Sequence, residues 1–308
     1  MPLVSVIMNV RNGASFLREA VDSVLAQTFT DWELIVWDDC STDESAQIVS
    51  EYRNPRVRYF LSPEDTALAP AREAAIRQAS GDWLAFLDQD DVWLSGKLEK
   101  QMALAAPGVG MIYGRTVMFD ARHGNRRDYD YAHEFAPLPE GDIFTQLFAD
   151  ACFIAMSSAV LRRAAVEEAG SIPPAIEVTP DYYFYAAIAS QYQARAVQDV
   201  VCRYRLHPGS MSHSHRLRLF QEPLWLINRW ADCLDPKVVA YRRMTYSTAL
   251  ALEELRSGKT FGVGIRRLWS QGSLPWLLSR PWVRVWRWAR RKLRRPYWRG
   301  MELTSDPD

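Results

Sequence analysis

The first third of the chain alternates short apolar runs with helical segments. Apolar runs of strand length lie at 3–8, 33–37, 57–60 and 83–87. Helical segments lie at 16–27, 69–79 and 97–105, and the first of them repeats apolar residues with the 3.6-residue period of an amphipathic helix. Strands that alternate with helices predict an α/β domain whose mostly parallel sheet is covered on both faces.

Beyond residue 107 the alternation weakens, and a helical region follows. Strand-like runs lie at 111–120, 153–161 and 195–207, with a polar loop or hairpin at 122–130 and helices ending near 170 and 192. From residue 216 the pattern is helical throughout, at 216–233, 236–257, 260–271 and 276–295. We therefore predict one α/β domain over 1–214 and an all-helical C-terminal region over 215–308.

The charges are unevenly distributed, although the 308 residues carry 37 Lys and Arg against 37 Asp and Glu. Residues 256–300 contain 13 Lys and Arg and no acid, which leaves the preceding chain acidic. We therefore expect the acidic body and the basic tail to have different partners.

The cysteines and the apolar runs indicate the cellular compartment in which the protein is expected. The four cysteines lie far apart without a C-x-x-C pair, which argues against a zinc cluster or a disulfide framework and favours a reducing cytoplasm. The N-terminus lacks the basic start and cleavage site of a signal peptide. No run reaches the roughly 20 apolar residues of a membrane span. We expect a protein that is soluble or bound at a membrane surface.

Residues 276–300 are rich in Trp and Arg and predict an amphipathic helix. Helical spacing places an apolar set on one face, namely Trp282, Trp286, Ala289 and Leu293. A basic set lies largely away from it, namely Arg284, Arg287, Arg291 and Arg295. This arrangement is typical of a helix in the interface of an anionic bilayer. The alternative is a helix packed on the body or in a dimer; nucleic acid is disfavoured because no recognition motif accompanies the charge.

Acidic residues follow two of the predicted strands. Asp38 and Asp39 follow the second strand, and Asp88, Asp90 and Asp91 follow the fourth, within FLDQDDVW. Ligands of parallel sheets bind outside the carboxyl ends of the strands, so we expect both clusters to line one crevice. Mg²⁺ and Mn²⁺ prefer carboxylate oxygens. The alternative is a solvated turn that begins the next helix.

Two longer segments carry a resemblance to a known family. They read VSVIMNVRNGASFLREAVDSVLAQTFTDWELIVWDDCSTDES and LAPAREAAIRQASGDWLAFLDQDDVW. In that order they are similar to family 2 glycosyltransferases of the GT-A fold, closely over 1–105 and more loosely over 150–212. The resemblance implies a Rossmann-like domain with a nucleotide-binding half at 1–106 and an acceptor half at 107–214.

The resemblance implies a donor-binding role for four residues. Asp39 matches the acid that hydrogen-bonds the base of the nucleotide, with Asp38 beside it as an orienting partner. Arg72 matches the Arg that contacts the nucleotide, since guanidinium groups suit phosphate. Asp88 would face the ribose and diphosphate of a nucleotide-diphosphate sugar.

The resemblance also implies a divalent metal, Mn²⁺ or Mg²⁺. Asp90 matches its direct ligand, and His207, in RYRLHPGSMS, matches a His that approaches the metal or diphosphate. Further candidates are Asp91, as a third acid or the N-cap of the next helix, and Arg205 and Ser212, as contacts of phosphate oxygens.

Asp181, in VTPDYYFYAAIA, matches the catalytic base of the family. Such a carboxylate would take the proton of the acceptor hydroxyl. The alternative is an N-cap, because an Asp before a helical run is a good one. The chain departs from the family where Pro180 stands in place of a frequent Glu.

Two further departures bear on the nucleotide pocket. The exit of the first strand reads NVRN at 9–12 where the family has Pro-x-Tyr-Asn, and 71–73 read ARE where it has Ala-Arg-Asn. The base of the nucleotide is therefore left open.

The leading hypothesis is a metal-dependent inverting glycosyltransferase that moves a sugar from a nucleotide-diphosphate sugar to an acceptor hydroxyl. The usual role of the family and the basic tail suggest that the protein acts in bacterial surface polysaccharide or glycolipid assembly. Its acceptor would be a saccharide or lipid-linked molecule at the inner face of the cell membrane. One alternative is a metal-dependent nucleotidyltransferase, which also needs paired acids. Another is a catalytically silent sugar-nucleotide-binding scaffold at the membrane.

Overall fold

The computed structural model describes residues 3–120, 129–130, 137–150, 152–207, 209–210 and 215–257. The chain divides into two compact units, Met1–Leu226 and Ile227–Asp308. The division falls inside a helix, whereas the sequence places it after residue 214. The helices predicted at 260–271 and 276–295 and most of the polar run at 122–130 lie outside the described residues.

One sheet contains the nine strands of the described chain. They are β1 Val4–Val10, β2 Trp32–Asp38, β3 Val57–Leu61, β4 Trp83–Phe86, β5 Val92–Trp93, β6 Val109–Asp120, β7 Tyr129–Asp130, β8 Val160–Arg162 and β9 Gln193–Leu206. Their spatial order is β3-β2-β1-β4-β8-β6-β9-β5, with β7 paired to β6. The pairs β1–β2, β1–β4, β2–β3 and β6–β9 are parallel, while β5, β7 and β8 run antiparallel to their neighbours. The predicted α/β class is confirmed; the sheet is mixed, with the first four strands parallel to one another.

The described helices lie between the strands and after the last of them. They are α1 Ala14–Leu25, α2 Ser45–Ser50, α3 Leu68–Gln78, α4 Lys97–Met102, α5 Phe144–Ala149, α6 Arg163–Ala169, α7 Pro180–Ala189, α8 Arg218–Arg229 and α9 Pro236–Ser257. Short 3₁₀ turns occur at Met156–Ser158 and Ala231–Cys233. The described part of the C-terminal region is thus helical, as predicted.

The central strands are buried along almost their whole length, as expected for parallel strands covered on both faces. β1, β2 and β4 contribute the core of the first unit, together with the inward face of α1. On α1 the buried apolar residues Leu17, Ala20, Val21 and Val24 lie at helical spacing. The 3.6-residue period in the sequence therefore marks the packed face correctly.

The strand predicted at 153–161 is mostly wrong. Only Val160–Arg162 pairs in the sheet, and Met156–Ser158 form a 3₁₀ turn before it. The hydroxyl of Ser158 donates to the carbonyl of Ala155 (2.8 Å), which closes the turn locally. Serine side chains that bond nearby backbone compete with sheet pairing in this way.

Two exit loops are tied together at the carboxyl edge of the sheet. The backbone N–H of Arg11, after β1, donates to Gln89 Oε1 (2.9 Å), and Gln89 Nε2 donates to the carbonyl of Arg11 (3.1 Å). A Cβ at Gly13 would overlap the end of the Gln89 side chain and displace it from these hydrogen bonds. The exits of β1 and β4 therefore lie side by side.

Within the described residues, no helix has both the length and the apolar character that crossing a bilayer demands.

Candidate active site

The candidate site lies at the carboxyl ends of the central parallel strands. β1 pairs with β2 on one side and with β4 on the other, so the strand order reverses at this point. Open α/β sheets bind ligands at such a switch point. Asp38 ends β2 and Asp88 follows β4 closely. The fold thus brings the two predicted acidic clusters to one edge of the sheet.

Asp38 and Asp39 differ in the partners that hold their carboxylates. Asp38 is buried and accepts the N–H of Ser41 (2.8 Å) and the hydroxyl of Tyr59 (2.7 Å). Asp39 accepts the N–H (3.2 Å) and the hydroxyl (3.0 Å) of Thr66. Both oxygens of Asp38 are therefore used to shape the turn after β2. No sequence signal pointed to Thr66.

Arg72 and Asp88 form an ion pair at the carboxyl edge of the sheet. Arg72 Nη2 donates to Asp88 Oδ1 (3.0 Å), with 5% of the Arg72 side chain and 37% of the Asp88 side chain exposed. Burial raises the pKa of Asp88; the charge of Arg72 opposes this and that of Asp90 adds to it, so that the pKa stays above its ordinary value. The buried Nε–H of Arg72 makes no hydrogen bond.

Asp90 and His207 meet although they lie far apart in the sequence. His207 Nε2 is 2.7 Å from Asp90 Oδ2, and both side chains are partly exposed. The His207 ring packs against Phe16 with 4.8 Å between ring centroids. Among the residues that the structure describes, no group of three His, Cys, Asp or Glu converges as a ready-made cation site. The carboxylate–imidazole pair could supply only part of a coordination sphere.

Asp91 faces inward, and its interpretation as an N-cap is wrong. It is 1% exposed, and it accepts the hydroxyl of Ser157 (2.6 Å) and the backbone N–H of Arg205 (2.9 Å). The next helix, α4, begins at Lys97 with Gly96 as its N-cap residue. Asp91 therefore ties the acidic turn to two distant parts of the chain.

The surroundings of Asp91 also include a residue that the sequence did not single out. The hydroxyl of Ser157, which donates to Asp91, accepts the N–H of Asp88 (3.1 Å). Burial raises the pKa of Asp91 well above its ordinary value, and the charges of Asp90 and Asp88 raise it further. In the sequence, Ser157 lies in an apolar run that predicted a strand, and nothing there indicated a role at the site.

The guanidinium of Arg205 is already engaged by protein groups. Nε donates to the carbonyl of Asp90 (2.7 Å) and Nη2 to Glu19 Oε2 (2.5 Å), and the group lies 4.6 Å from the centroid of the Phe16 ring. These contacts hold the acidic turn against α1. Ser212, the other candidate phosphate contact, lies outside the described residues.

Asp181 lies in the first turn of α7. The N-cap residue is Thr179, and Pro180 occupies the first helical position, so the N-cap interpretation of Asp181 is wrong. Burial raises the pKa of Asp181 to about 6; the charge of Arg72 lowers it and that of Asp88 raises it. Asp181 thus belongs electrostatically to the same crevice. A carboxyl group whose pKa approaches neutrality suits a general base.

Two of the departures from the family pattern have visible partners. Arg11 forms an ion pair with Asp65, and its Nη1 lies 3.5 Å from Asp39 Oδ2. Glu73 Oε1 accepts the backbone N–H of Ile172 (2.5 Å). Glu73 therefore connects α3 to the acceptor half, while Arg11 lies beside the acid predicted to read the base.

The switch point of this α/β sheet thus gathers an arginine and several carboxylates, the place where proteins of this class bind their ligands. The chain belongs to glycosyltransferase family 2: the model of "Glycosyl transferase family 2" matches residues 5–170. The predicted family is confirmed.

Two relatives and one solved structure carry this assignment further. The chain is 42% identical to the putative teichuronic acid biosynthesis glycosyltransferase TuaG of Bacillus subtilis over 103 residues, 33% of this chain and 41% of TuaG. It is 30% identical, over 69% of its length and 80% of the relative, to the UDP-Glc:alpha-D-GlcNAc-diphosphoundecaprenol beta-1,3-glucosyltransferase WfaP of Escherichia coli. It resembles the mannosyltransferase PcManGT of Pyrobaculum calidifontis, solved with GDP-Man and Mn²⁺, at a TM-score of 0.59 and 21% identity over 92% of this chain and 83% of that one. The chain thus spans about two fifths of TuaG but most of WfaP, and it shares the fold of PcManGT.

Proposed function

We propose that the protein is an inverting glycosyltransferase that transfers a sugar from a nucleotide-diphosphate sugar to an acceptor hydroxyl with the aid of a divalent metal. The observation that carries the proposal is the position of Asp181 at the start of α7, where its pKa is raised to about 6 and the charges of Arg72 and Asp88 act on it. A base of this kind beside a phosphate-binding cation is what glycosyl transfer requires.

The donor would bind at the carboxyl ends of β2 and β4. Asp39 accepts hydrogen bonds from the base, and Asp38 holds the turn that presents it. Arg72 would neutralise phosphate charge, and Asp88 orients its guanidinium. The charge-assisted bonds of a buried guanidinium to phosphate are among the strong ones.

Asp90 and His207 suit a metal ion whose remaining coordination positions are filled by the nucleotide-sugar donor and water. Mn²⁺ and Mg²⁺ in phosphate sites use one or two protein ligands and take the rest from phosphates and water. A partly exposed carboxylate and imidazole 2.7 Å apart match such a donor set. When bound, the metal would offset the negative charge that develops on the departing diphosphate. Arg205 and Asp91 would hold the turn that carries Asp90, with Arg205 bonding its carbonyl.

In the proposed reaction Asp181 is the base and the diphosphate is the leaving group. Asp181 takes the proton of the acceptor hydroxyl while the hydroxyl oxygen attacks the anomeric carbon. The new carbon–oxygen bond forms opposite the bond to the diphosphate, which breaks and leaves its electron pair on the leaving group. The configuration at the anomeric carbon therefore inverts.

The acceptor class is suggested by the relatives. TuaG is named for teichuronic acid biosynthesis, and WfaP for glucosyl transfer to a diphosphoundecaprenol-linked sugar. The proposed setting is therefore bacterial surface polysaccharide or glycolipid assembly, with a saccharide or lipid-linked acceptor. A thermal-shift panel with UDP-glucose and GDP-mannose in Mn²⁺ selects the donor, because a ligand that binds the folded state stabilises it.

The basic segment 276–300 would hold the protein on the inner face of the cell membrane. Each Lys or Arg near an anionic surface contributes about 1 kcal/mol. Changing Arg284, Arg287, Arg291 and Arg295 to Gln in the full chain should release it from phosphatidylserine vesicles. Neutral phosphatidylcholine vesicles are the control. Undiminished co-sedimentation of the variant would favour a helix packed on the protein itself.

Asp181→Asn tests the reaction directly. The change removes the proton acceptor and keeps the size, so turnover should fall by roughly 100-fold or more while donor affinity barely changes. Transfer is followed with donor labelled separately in the sugar and in the phosphate. Label that leaves with its phosphate would instead indicate a nucleotidyltransferase, and the absence of any wild-type turnover would indicate a binding scaffold.

A further inference from the structure

A buried carboxylate on α8 holds the segment that leads into α7. Glu222 is 1% exposed. Its Oε1 accepts the backbone N–H groups of Glu177 (3.0 Å) and Val178 (3.1 Å), and its Oε2 accepts the N–H (2.7 Å) and the hydroxyl (2.8 Å) of Thr179. Donors from three consecutive residues therefore converge on one side chain.

The same face of α8 makes a second contact with this segment. Arg218 lies one helical turn before Glu222, and its Nη2 donates to Glu177 Oε1 (2.6 Å). Thr179 is the N-cap residue of α7, but its side chain makes no capping bond to the helix because its hydroxyl binds Glu222. The start of α7 is thus anchored from α8, and both helices lie beyond the stretch matched by the family model.

The negative charge of Glu222 suits this position. A carboxylate near the N-terminus of a helix interacts favourably with the helix dipole. Its hydrogen bonds are charge-assisted and so roughly twice as strong as neutral ones. A glutamine would offer one oxygen and place an NH₂ group against the remaining N–H donors. The segment 177–179 would then have to move, since buried donors without an acceptor are costly.

Asp181 follows the anchored residues directly, in the first turn of α7. We propose that Glu222 is a positioning residue, which sets the place of Asp181 in the crevice by anchoring residues 177–179. The inference rests on the proposed function, because it takes Asp181 as the base. Displacements of about 1 Å from a reactive geometry can lower turnover roughly 100-fold.

Glu222→Gln in the full chain tests the role, with Glu33→Gln as the matched control. Glu33 is also a buried carboxylate that accepts several hydrogen bonds, but it lies at the opposite edge of the sheet. Kinetics are measured in Mn²⁺ with UDP-glucose or GDP-mannose, whichever the thermal-shift panel selects, well below the unfolding temperature of both variants.

Glu222→Gln should lower kcat roughly 10- to 100-fold, while the dissociation constant of the donor changes by no more than about twofold. Glu33→Gln should lose stability and keep kcat within about threefold. An equal loss of kcat in the two variants would mean that Glu222 only stabilises the fold, and the proposal would be overturned.

A double mutant separates this inference from the proposed function. In the Asp181→Asn background, Glu222→Gln should lower kcat little further, because both changes act on the same step. The same factor in both backgrounds would overturn the positioning role. Full turnover in Asp181→Asn alone would refute the base assignment, whereas loss in Asp181→Asn without loss in Glu222→Gln would refute only the positioning role.

Thr179→Val provides the test if Glu222→Gln does not fold. It removes the hydroxyl that donates to Glu222 (2.8 Å) and keeps the shape of the side chain. The expected result is a smaller loss of kcat with unchanged donor affinity. Unchanged kcat in a folded Thr179→Val would contradict the proposal.

Discussion

The pKa shifts of carboxylates differ in sign between the two edges of the sheet, with Glu33 at the amino edge and Asp88, Asp91 and Asp181 at the carboxyl edge. At the amino edge, Glu33 accepts hydrogen bonds from the Ser5 hydroxyl (2.7 Å), from the N–H (2.7 Å) and hydroxyl (2.6 Å) of Ser80, and from Arg58 (2.6 Å). Burial alone would raise the pKa of Glu33, but these bonds together hold it below its ordinary value. This carboxylate is fully used in joining β1, β2, β3 and the start of β4.

At the carboxyl edge, burial and neighbouring acids raise the pKa values of three carboxyl groups more than hydrogen bonds lower them. The pKa values of Asp88, Asp91 and Asp181 are all raised, with burial as the largest cause in each. The charge of Arg72 and hydrogen bonds from N–H and O–H donors oppose this effect without outweighing it. The network around Glu33 therefore stabilises the fold, whereas folding disfavours the ionised forms of Asp88, Asp91 and Asp181.

Asp90→Asn should show the largest effect at the carboxyl edge. Loss of the charge removes the proposed metal ligand, so activity should fall by roughly 100-fold or more. Calorimetry should find that Mn²⁺ no longer strengthens donor binding. The matched control is Asp199→Asn, an exposed carboxylate paired with Lys100 (2.7 Å). Retained metal dependence in Asp90→Asn would contradict the ligand assignment.

Glu33→Gln should destabilise the fold at the amino edge of the sheet and leave the turnover rate nearly unchanged. The change leaves buried donors without their acceptor, and it should lower the free energy of unfolding by about 2–4 kcal/mol. Urea denaturation at pH 7 measures this loss. A loss below about 1 kcal/mol would show that the network at Glu33 stabilises little.

Asp181→Asn should have the opposite effect on stability. The folded state raises the pKa of Asp181 from 3.8 to about 6, so folding disfavours its ionised form. The cost is absent below the ordinary value and grows as the pH rises through about 6. The variant should therefore be more stable than the wild type by on the order of 1–3 kcal/mol at pH 8 and nearly equal to it at pH 4. Equal stability at pH 8 would indicate that the carboxylate is well solvated.

The pH dependence of kcat should give the smallest effect. The base must be ionised, and the pKa of Asp181 is raised to about 6. We expect kcat to rise about tenfold per pH unit below this value and to level off above it. Steady-state rates between pH 5 and pH 8 provide the measurement. A flat profile over this range would contradict a base with a raised pKa.

Much of the fold followed from local pattern. The strands at β1 to β4 and the helix at α1 were predicted because apolar runs and helical periods are set by neighbouring residues. The 3₁₀ turn at Met156–Ser158 was missed, because its apolar sequence resembles a strand and only the Ser158–Ala155 bond identifies it. The N-cap interpretations of Asp91 and Asp181 failed for a related reason: an Asp before a helix has several uses that look the same in sequence.

The sequence alone determined that acids follow β2 and β4, and hence that they share the carboxyl edge of the sheet, because strands that alternate with helices run parallel. Tertiary structure alone decided which of these acids are buried and hydrogen-bonded within the protein and which are exposed enough to bind a ligand. Asp91 is turned toward Ser157 and Arg205, Asp90 meets His207, and Glu222 anchors the residues before Asp181. Each of these contacts joins residues more than forty positions apart. No local pattern encodes such a pairing, since burial and hydrogen bonding depend on which surfaces meet when the chain folds.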